Sequence, residues 1–163
     1  MKRAARQRGV LWVVVALLLA LALWQYRRDQ ASAPGTLLAL DPAGITQVEL
    51  RLQRGPVEHY AKRDGHWWRT DGTPARSDDG RLDELTQIAQ APVLGWRPAR
   101  DFDPARIGLQ PPLATLRLDG QTLEFGETAV TGPQRYVRVG ARVALVPVRY
   151  TPRPRLDATT RAP

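Results

Sequence analysis

Apolar positions fall into three regimes along this chain. They are unbroken from Val10 to Trp24, alternate or recur at helical spacing between Leu37 and Val148, and lose all periodicity beyond. The first run is free of charge from Gly9 to Tyr26, 18 residues. As a helix these would cover roughly 27 Å, close to the hydrocarbon thickness of a bilayer. Trp12 stands near one end and Trp24 with Tyr26 at the other, where amphipathic rings anchor a span. The pattern predicts a transmembrane helix over 9–26, preceded by a basic N-terminus over 1–8. A buried core helix would carry a polar stripe, and this run has none. A cleaved signal peptide would share the basic leader, and Ala31-Ser32-Ala33 has the form of a cleavage site. That site lies nine residues beyond Trp24, past Arg27 and Arg28 and just before Pro34, which favours an uncleaved anchor.

The second regime predicts strands. After a linker over 27–36, Val48, Leu50 and Leu52 alternate with Gln47, Glu49, Arg51 and Gln53, the signature of a half-buried strand. Gly55-Pro56 breaks it. Val57 to Arg63 and His66 to Thr70 flank Asp64-Gly65, the dipeptide suited to a type I′ hairpin turn. A two-residue turn sets Arg63 opposite His66, Lys62 opposite Trp67 and Ala61 opposite Trp68. Trp68 then shares a face with Val57 and Ala61, taken as the core side. Tyr60, Lys62 and Trp67 share the other face, a candidate cation–π cluster or docking surface.

Helical spacing follows. Ser77 or Asp78 can cap a helix running to about Gln90, with Leu82, Leu85 and Ala89 on its inner face and Ile88 on the flank. Pro92 ends it, and Val93 to Trp96 reads as a short strand. In Asp101 to Pro112, Asp103 suits an N-cap, Pro104 suits N1, Phe102 can staple to Ile107, and Gly108 suits a left-handed C′ position. One short helical turn is predicted. Two further hairpins follow: Leu113 to Leu118 with Gln121 to Gly126 around Asp119-Gly120, and Gln134 to Val139 with Ala141 to Val148. The tetrad Glu49-Leu-Arg-Leu52 is echoed by Thr115-Leu-Arg-Leu118, too short to prove duplication. Residues 149–163 are rich in Pro and Arg and predict an extended or disordered tail. The fold class is α+β: one transmembrane helix, then a small, mainly antiparallel β domain over 37–148 with one principal helix.

The net charge of +8 suggests nucleic acid until its position is considered. Residues 1–28 hold six basic and no acidic side chains, and 149–163 hold four basic against Asp157. Between them stand 14 Lys or Arg and 15 Asp or Glu, so the body of the chain is near neutral. This excludes nucleic acid as the expected partner. The basic excess before the span over Arg27 and Arg28 after it predicts a cytoplasmic N-terminus and an external domain, periplasmic in a two-membrane bacterium. The lack of cysteine excludes disulfides, thiolate catalysis and cysteine metal sites.

The succession ITQVEL, KRDGHWW, a capped helix, DFDPARIGLQPPLATLRL and RYVRV resembles the bacterial domain-of-unknown-function family numbered four-three-four-zero. Members of that family are similar in an N-terminal span, an I-x-x-I-x-L first strand, a DG-x-W hairpin and a YGL-x-PP tract before A-x-L-x-L. Here Ile107 stands where the family usually has an aromatic residue. The resemblance covers Leu38 to Val148 and is most specific over Gly108 to Leu118. Related domains occur in auxiliary subunits of gliding-type ABC transporters, which implies a membrane-bound envelope partner. It supplies no catalytic residues.

Candidate chemistry is sparse. His59 and His66 lie roughly 13 Å apart along the predicted hairpin, too far for one metal ion. Asp101 and Asp103 form a D-x-D pair better explained by the Asp103 cap. Asp78, Asp79, Asp83 and Glu84 suit a solvated helix N-terminus better than acid–base work. Neither Ser32 nor Ser77 lies in a nucleophile motif. No cofactor, metal or catalytic residue is expected. The expectation is a non-enzymatic, membrane-tethered interaction domain that contacts another envelope membrane protein. The alternative is a small-molecule or glycan module using Trp67, Tyr60 or Trp96.

Overall fold

A computed structural model describes residues 15, 17–22, 24, 35–53 and 55–153. The chain divides into two compact units, residues 1–33 and 34–163. In the first, the described residues are helical, and Val15, Leu17, Leu18, Leu19, Leu21 and Trp24 are all exposed. Among the described residues no helix is long and apolar enough to cross a membrane. The predicted span over 9–26 falls largely outside them.

The second unit is one antiparallel sheet. Its strands are β1 (Gln47–Leu52), β2 (Val57–Arg63), β3 (His66–Arg69), β4 (Ala75–Arg76), β5 (Gly95–Pro98), β6 (Ala114–Leu118), β7 (Gln121–Thr128), β8 (Gln134–Val139) and β9 (Arg142–Pro147). They run in the order β4-β3-β2-β1-β6-β7-β8-β9-β5. Helix α1 (Asp79–Gln87) and a 3-10 turn over Ile88–Gln90 pack on one face. Asp78 caps α1 by accepting from the Arg81 amide, as the sequence suggested. Leu82, Leu85, Ile88 and Ala89 are buried against Val48, Leu50, Leu116, Leu118, Leu123, Phe125 and Val137. Leu37 and Leu38 close this core, their amides donating to Ala91 O (3.0 Å) and Ala89 O (2.8 Å).

The echoed tetrads meet at the centre of the sheet. β1 pairs with β6 so that Leu50 lies opposite Leu116, with Glu49 opposite Arg117 and Arg51 opposite Thr115. Both strand ends then enter the left-handed region, Gln53 at φ 49° and Asp119 at φ 43°. The Gln53 amide donates to Leu113 O at 2.7 Å, and the Asp119 amide to Gln47 O at 3.1 Å. Arg51 Nε reaches Gly55 O and Arg117 Nε reaches Gly120 O. Two similar strands thus sit about a local two-fold axis at Leu50 and Leu116.

The Asp101 to Pro112 tract forms a short 3-10 turn at Ala99–Asp101 and then consecutive turns, not a regular helix. Its capping logic holds. Asp103 accepts from the Ala105 amide, Gly108 has φ 68°, and the Leu109 and Gly108 amides donate to Pro104 O and Ala105 O in a Schellman arrangement. Phe102 packs with Ile107, Leu109, Val143 and Tyr136 in a small cluster of its own.

Two expectations need correction. The C-terminal segment is folded further than expected, with a 3-10 turn at Val148–Tyr150 and a buried Pro152; residues 154–163 lie outside the described residues. The inward face of the β2–β3 hairpin is the reverse of the one expected. Its register is as read, Arg63 to His66, Lys62 to Trp67 and Ala61 to Trp68. Yet Trp67 is fully buried and Tyr60 nearly so, while Trp68 is only half-buried. The cause is β1: Val48 lies opposite Tyr60, so the buried side of β1 and the Tyr60 side of β2 are one face.

Candidate functional site

Reversal of the hairpin moves the proposed contact residues beneath α1. Trp67 Nε1 donates to Asp83 Oδ1 at 3.0 Å, and its backbone amide to Asp79 Oδ1 at 2.7 Å. Lys62 Nζ stands 5.4 Å from the Trp67 ring and 3.7 Å from Asp83 Oδ1. The cation–π pair exists, but it joins sheet to helix and is no docking surface. Trp96 is half-buried, with the Arg142 guanidinium 4.3 Å over its ring. The rings on which a glycan would stack are therefore engaged or buried.

Beside this contact runs a groove of about 1030 Å³ between α1 and residues 149–153. Its floor and walls include Tyr60, Arg81, Leu85 and Ile88, with Glu84 and Gln87 on the helix side and Arg149 and Arg153 opposite. At its base, the Tyr60 hydroxyl donates to Glu58 Oε2 at 2.7 Å; Arg81 Nη1 donates to the Tyr60 oxygen and Nη2 to Glu58. Burial raises the pKa of the Tyr60 phenol above its ordinary value, and the bond to Glu58 adds to the effect. Among the described residues, Arg81 Nε and Ser77 Oγ, both inaccessible at the same wall, find no hydrogen-bond partner. Sequence reading overlooked this groove because one wall of it comes from the segment read as tail. The one available signal was Tyr150, an aromatic residue within that segment.

The titratable groups lie in separate pairs. His59 Nδ1 contacts Asp71 Oδ1 at 2.7 Å, whereas His66 Nδ1 contacts Asp79 Oδ2 at 2.9 Å. Burial works against ionisation of Asp71, but bonds from the His59 amide, the His59 ring and Arg69 outweigh it and lower its pKa. The Trp67 amide, followed by His66 and Arg76, brings Asp79 down to about 2. Asp83 serves Trp67 and Lys62, and Asp103 serves its cap. Among the described residues no three His, Asp or Glu side chains converge as metal ligands. Each of these carboxylates is engaged as an acceptor of hydrogen bonds that hold the local structure.

No protein-family model, no curated protein and no solved structure matches this chain.

Proposed function

We propose that this protein is a membrane-tethered domain that acts by contact, a non-enzymatic accessory or assembly subunit of a cell-envelope complex such as an ABC transporter. The observation that carries the reading is the groove along α1. It combines apolar surface with charges of both signs, Glu84 on the helix side and Arg149 and Arg153 opposite. A groove of this composition suits a short segment of another protein. The tether is supported by the N-terminal helical residues, whose large apolar side chains are exposed. Such a helix needs an apolar solvent. The charge bias around it supports a cytoplasmic N-terminus, a single span in the inner membrane and a periplasmic domain. The resemblance to family four-three-four-zero points the same way.

The test is site-directed photo-crosslinking in native membranes from groove and off-groove positions. A photoreactive residue at Gln87, exposed at the groove, should give a discrete membrane-protein adduct, and one at Thr122, exposed on the sheet, should not. The same adducts from both positions, or none from Gln87, would count against the groove. Loss of a cellular phenotype in a folded His59→Ala or Asp101→Asn variant would favour an enzyme or metal site.

A further inference from the structure

The end of the sheet at which the chain enters the domain has a distinct chemistry. β7 ends there, β8 begins, β9 ends and β5 begins, because these neighbours are antiparallel and Gln134 lies opposite Pro147 and Gly95 opposite Leu145. The Val93 amide donates to Gly35 O at 3.0 Å, and Thr36 bridges Pro92. The first described residues of the domain are therefore fastened to this end. Among the described residues of the domain, the exposed large apolar side chains are Leu94, 52% accessible, and Val130, 101% accessible. Both belong to this end, on the connections leading into β5 and from β7 to β8.

Arginines are concentrated in the segments that meet here. From Thr128 to Arg153 the chain carries five arginines and no acidic residue. Of these, Arg149 and Arg153 are exposed and follow directly from the end of β9. Glu127 at the end of β7 and Glu84 across the groove from Arg149 and Arg153 adjoin this stretch, which stays basic on balance. In the sequence, ten residues separate Trp24 from Gly35, a reach of at most about 35 Å when fully extended.

We propose that this end of the domain seats on an anionic phospholipid surface, with Val130 and Leu94 entering the interfacial region and Arg149 and Arg153 lying among the headgroup phosphates. The inference rests on the tether reading, which keeps the end carrying Gly35 within reach of the bilayer. Two exposed apolar side chains beside a stretch with an arginine excess match the requirements of an interfacial contact: apolar area for the acyl boundary, and cations for negative headgroups. A tethered domain needs only weak affinity for such a surface, because its local concentration there is already high.

The natural chain has no cysteine, so single labels are unambiguous. The full chain would be reconstituted in lipid nanodiscs of phosphatidylcholine, with and without phosphatidylglycerol, carrying an environment-sensitive fluorophore at Val130→Cys, Leu94→Cys or the control Thr122→Cys. Emission should shift to the blue and be quenched by spin-labelled lipid at positions 130 and 94 in discs containing phosphatidylglycerol. Position 122 should be unaffected. Quenching should fall roughly twofold or more in high salt, which screens headgroup attraction, and likewise in the Arg149→Gln, Arg153→Gln double variant with an unchanged circular dichroism spectrum. Labels at 94 and 130 that remain as wet as the one at 122, in a chain that co-elutes with the discs, would overturn the proposal. Equal quenching in both lipids would also overturn it, since charge would then play no part. A chain that does not co-elute with discs would refute the tether reading, and this inference would fall with it.

Discussion

Replacing the two adjacent tryptophans separately measures which face of the β2–β3 hairpin is inside. Trp67 is fully buried under α1 and donates to Asp83; Trp68 is half-buried on the opposite face. Truncating a buried aromatic residue costs about 3 to 5 kcal/mol through lost transfer energy and the cavity left behind. Loss of the Nε1 bond adds at most about 1 kcal/mol, because the exposed Asp83 carboxylate can turn to water. Trp67→Ala should therefore destabilise the protein by roughly 4 to 5 kcal/mol, a large part of the total for a domain of this size. Trp68→Ala gives up only partial burial and should cost less than about 1.5 kcal/mol. Trp67→Phe keeps most of the packing and should fall between them. The assay is urea unfolding of the full chain in mild detergent, followed by far-ultraviolet circular dichroism so that loss of a fluorophore does not distort the signal. If Trp68→Ala costs as much as Trp67→Ala, the inward face has been misplaced and the surface formed by Tyr60, Lys62 and Trp67 becomes a contact candidate again.

Three further outcomes can be checked with similar measurements. Leu85→Ala removes a buried helix residue facing the sheet and should cost about 2 to 5 kcal/mol; a loss under about 0.5 kcal/mol would indicate a loosely attached α1. A Cβ on Gly126 would lie 2.2 Å from the Ile107 carbonyl oxygen, so Gly126→Ala must displace the turn that packs on β7 and should cost roughly 1 to 3 kcal/mol, seen as a lower urea midpoint. Asp79 has a folded-state pKa of about 2, below the ordinary aspartate value of 3.8. Its contribution is thus present above the ordinary value and is lost as pH falls from about 4 toward 2. Asp79→Asn should flatten the stability profile in that window and leave its shape near neutral pH unchanged.

Local pattern alone located most of the elements. Alternation marked β1, β6 and β8, helical spacing marked α1, and Asp-Gly dipeptides marked turns whose residues do take positive φ: 51° and 78° at Asp64-Gly65, 43° and 87° at Asp119-Gly120. These features are legible because they depend on short-range sterics and on capping within a few residues. Gly108 was legible for the same reason, although a second demand on it was not: a Cβ there would meet the Glu127 amide nitrogen at 2.9 Å, a contact made across distant chain segments.

The hairpin face could not be settled inside the hairpin, where Val57, Ala61 and Trp68 on one side compete with Tyr60 and Trp67 on the other. Pairing with β1 decides it, and a cue existed: the four residues Gln53 to Pro56 carry the chain from Leu52 to Val57, which sets even-numbered residues of β2 beside those of β1. The adjacency of β1 and β6 was hidden for a different reason, since their partners are separated by more than sixty positions in the chain. The groove and the end bearing Leu94 and Val130 are likewise products of assembly. Each joins segments far apart in sequence whose individual composition is ordinary, and only the antiparallel order of the sheet makes them neighbours. Hydropathy and turn chemistry thus determined the elements and their local ends. Long-range strand pairing decided which side of each became interior, because burial is a property of the neighbour that covers a side chain as much as of the side chain itself.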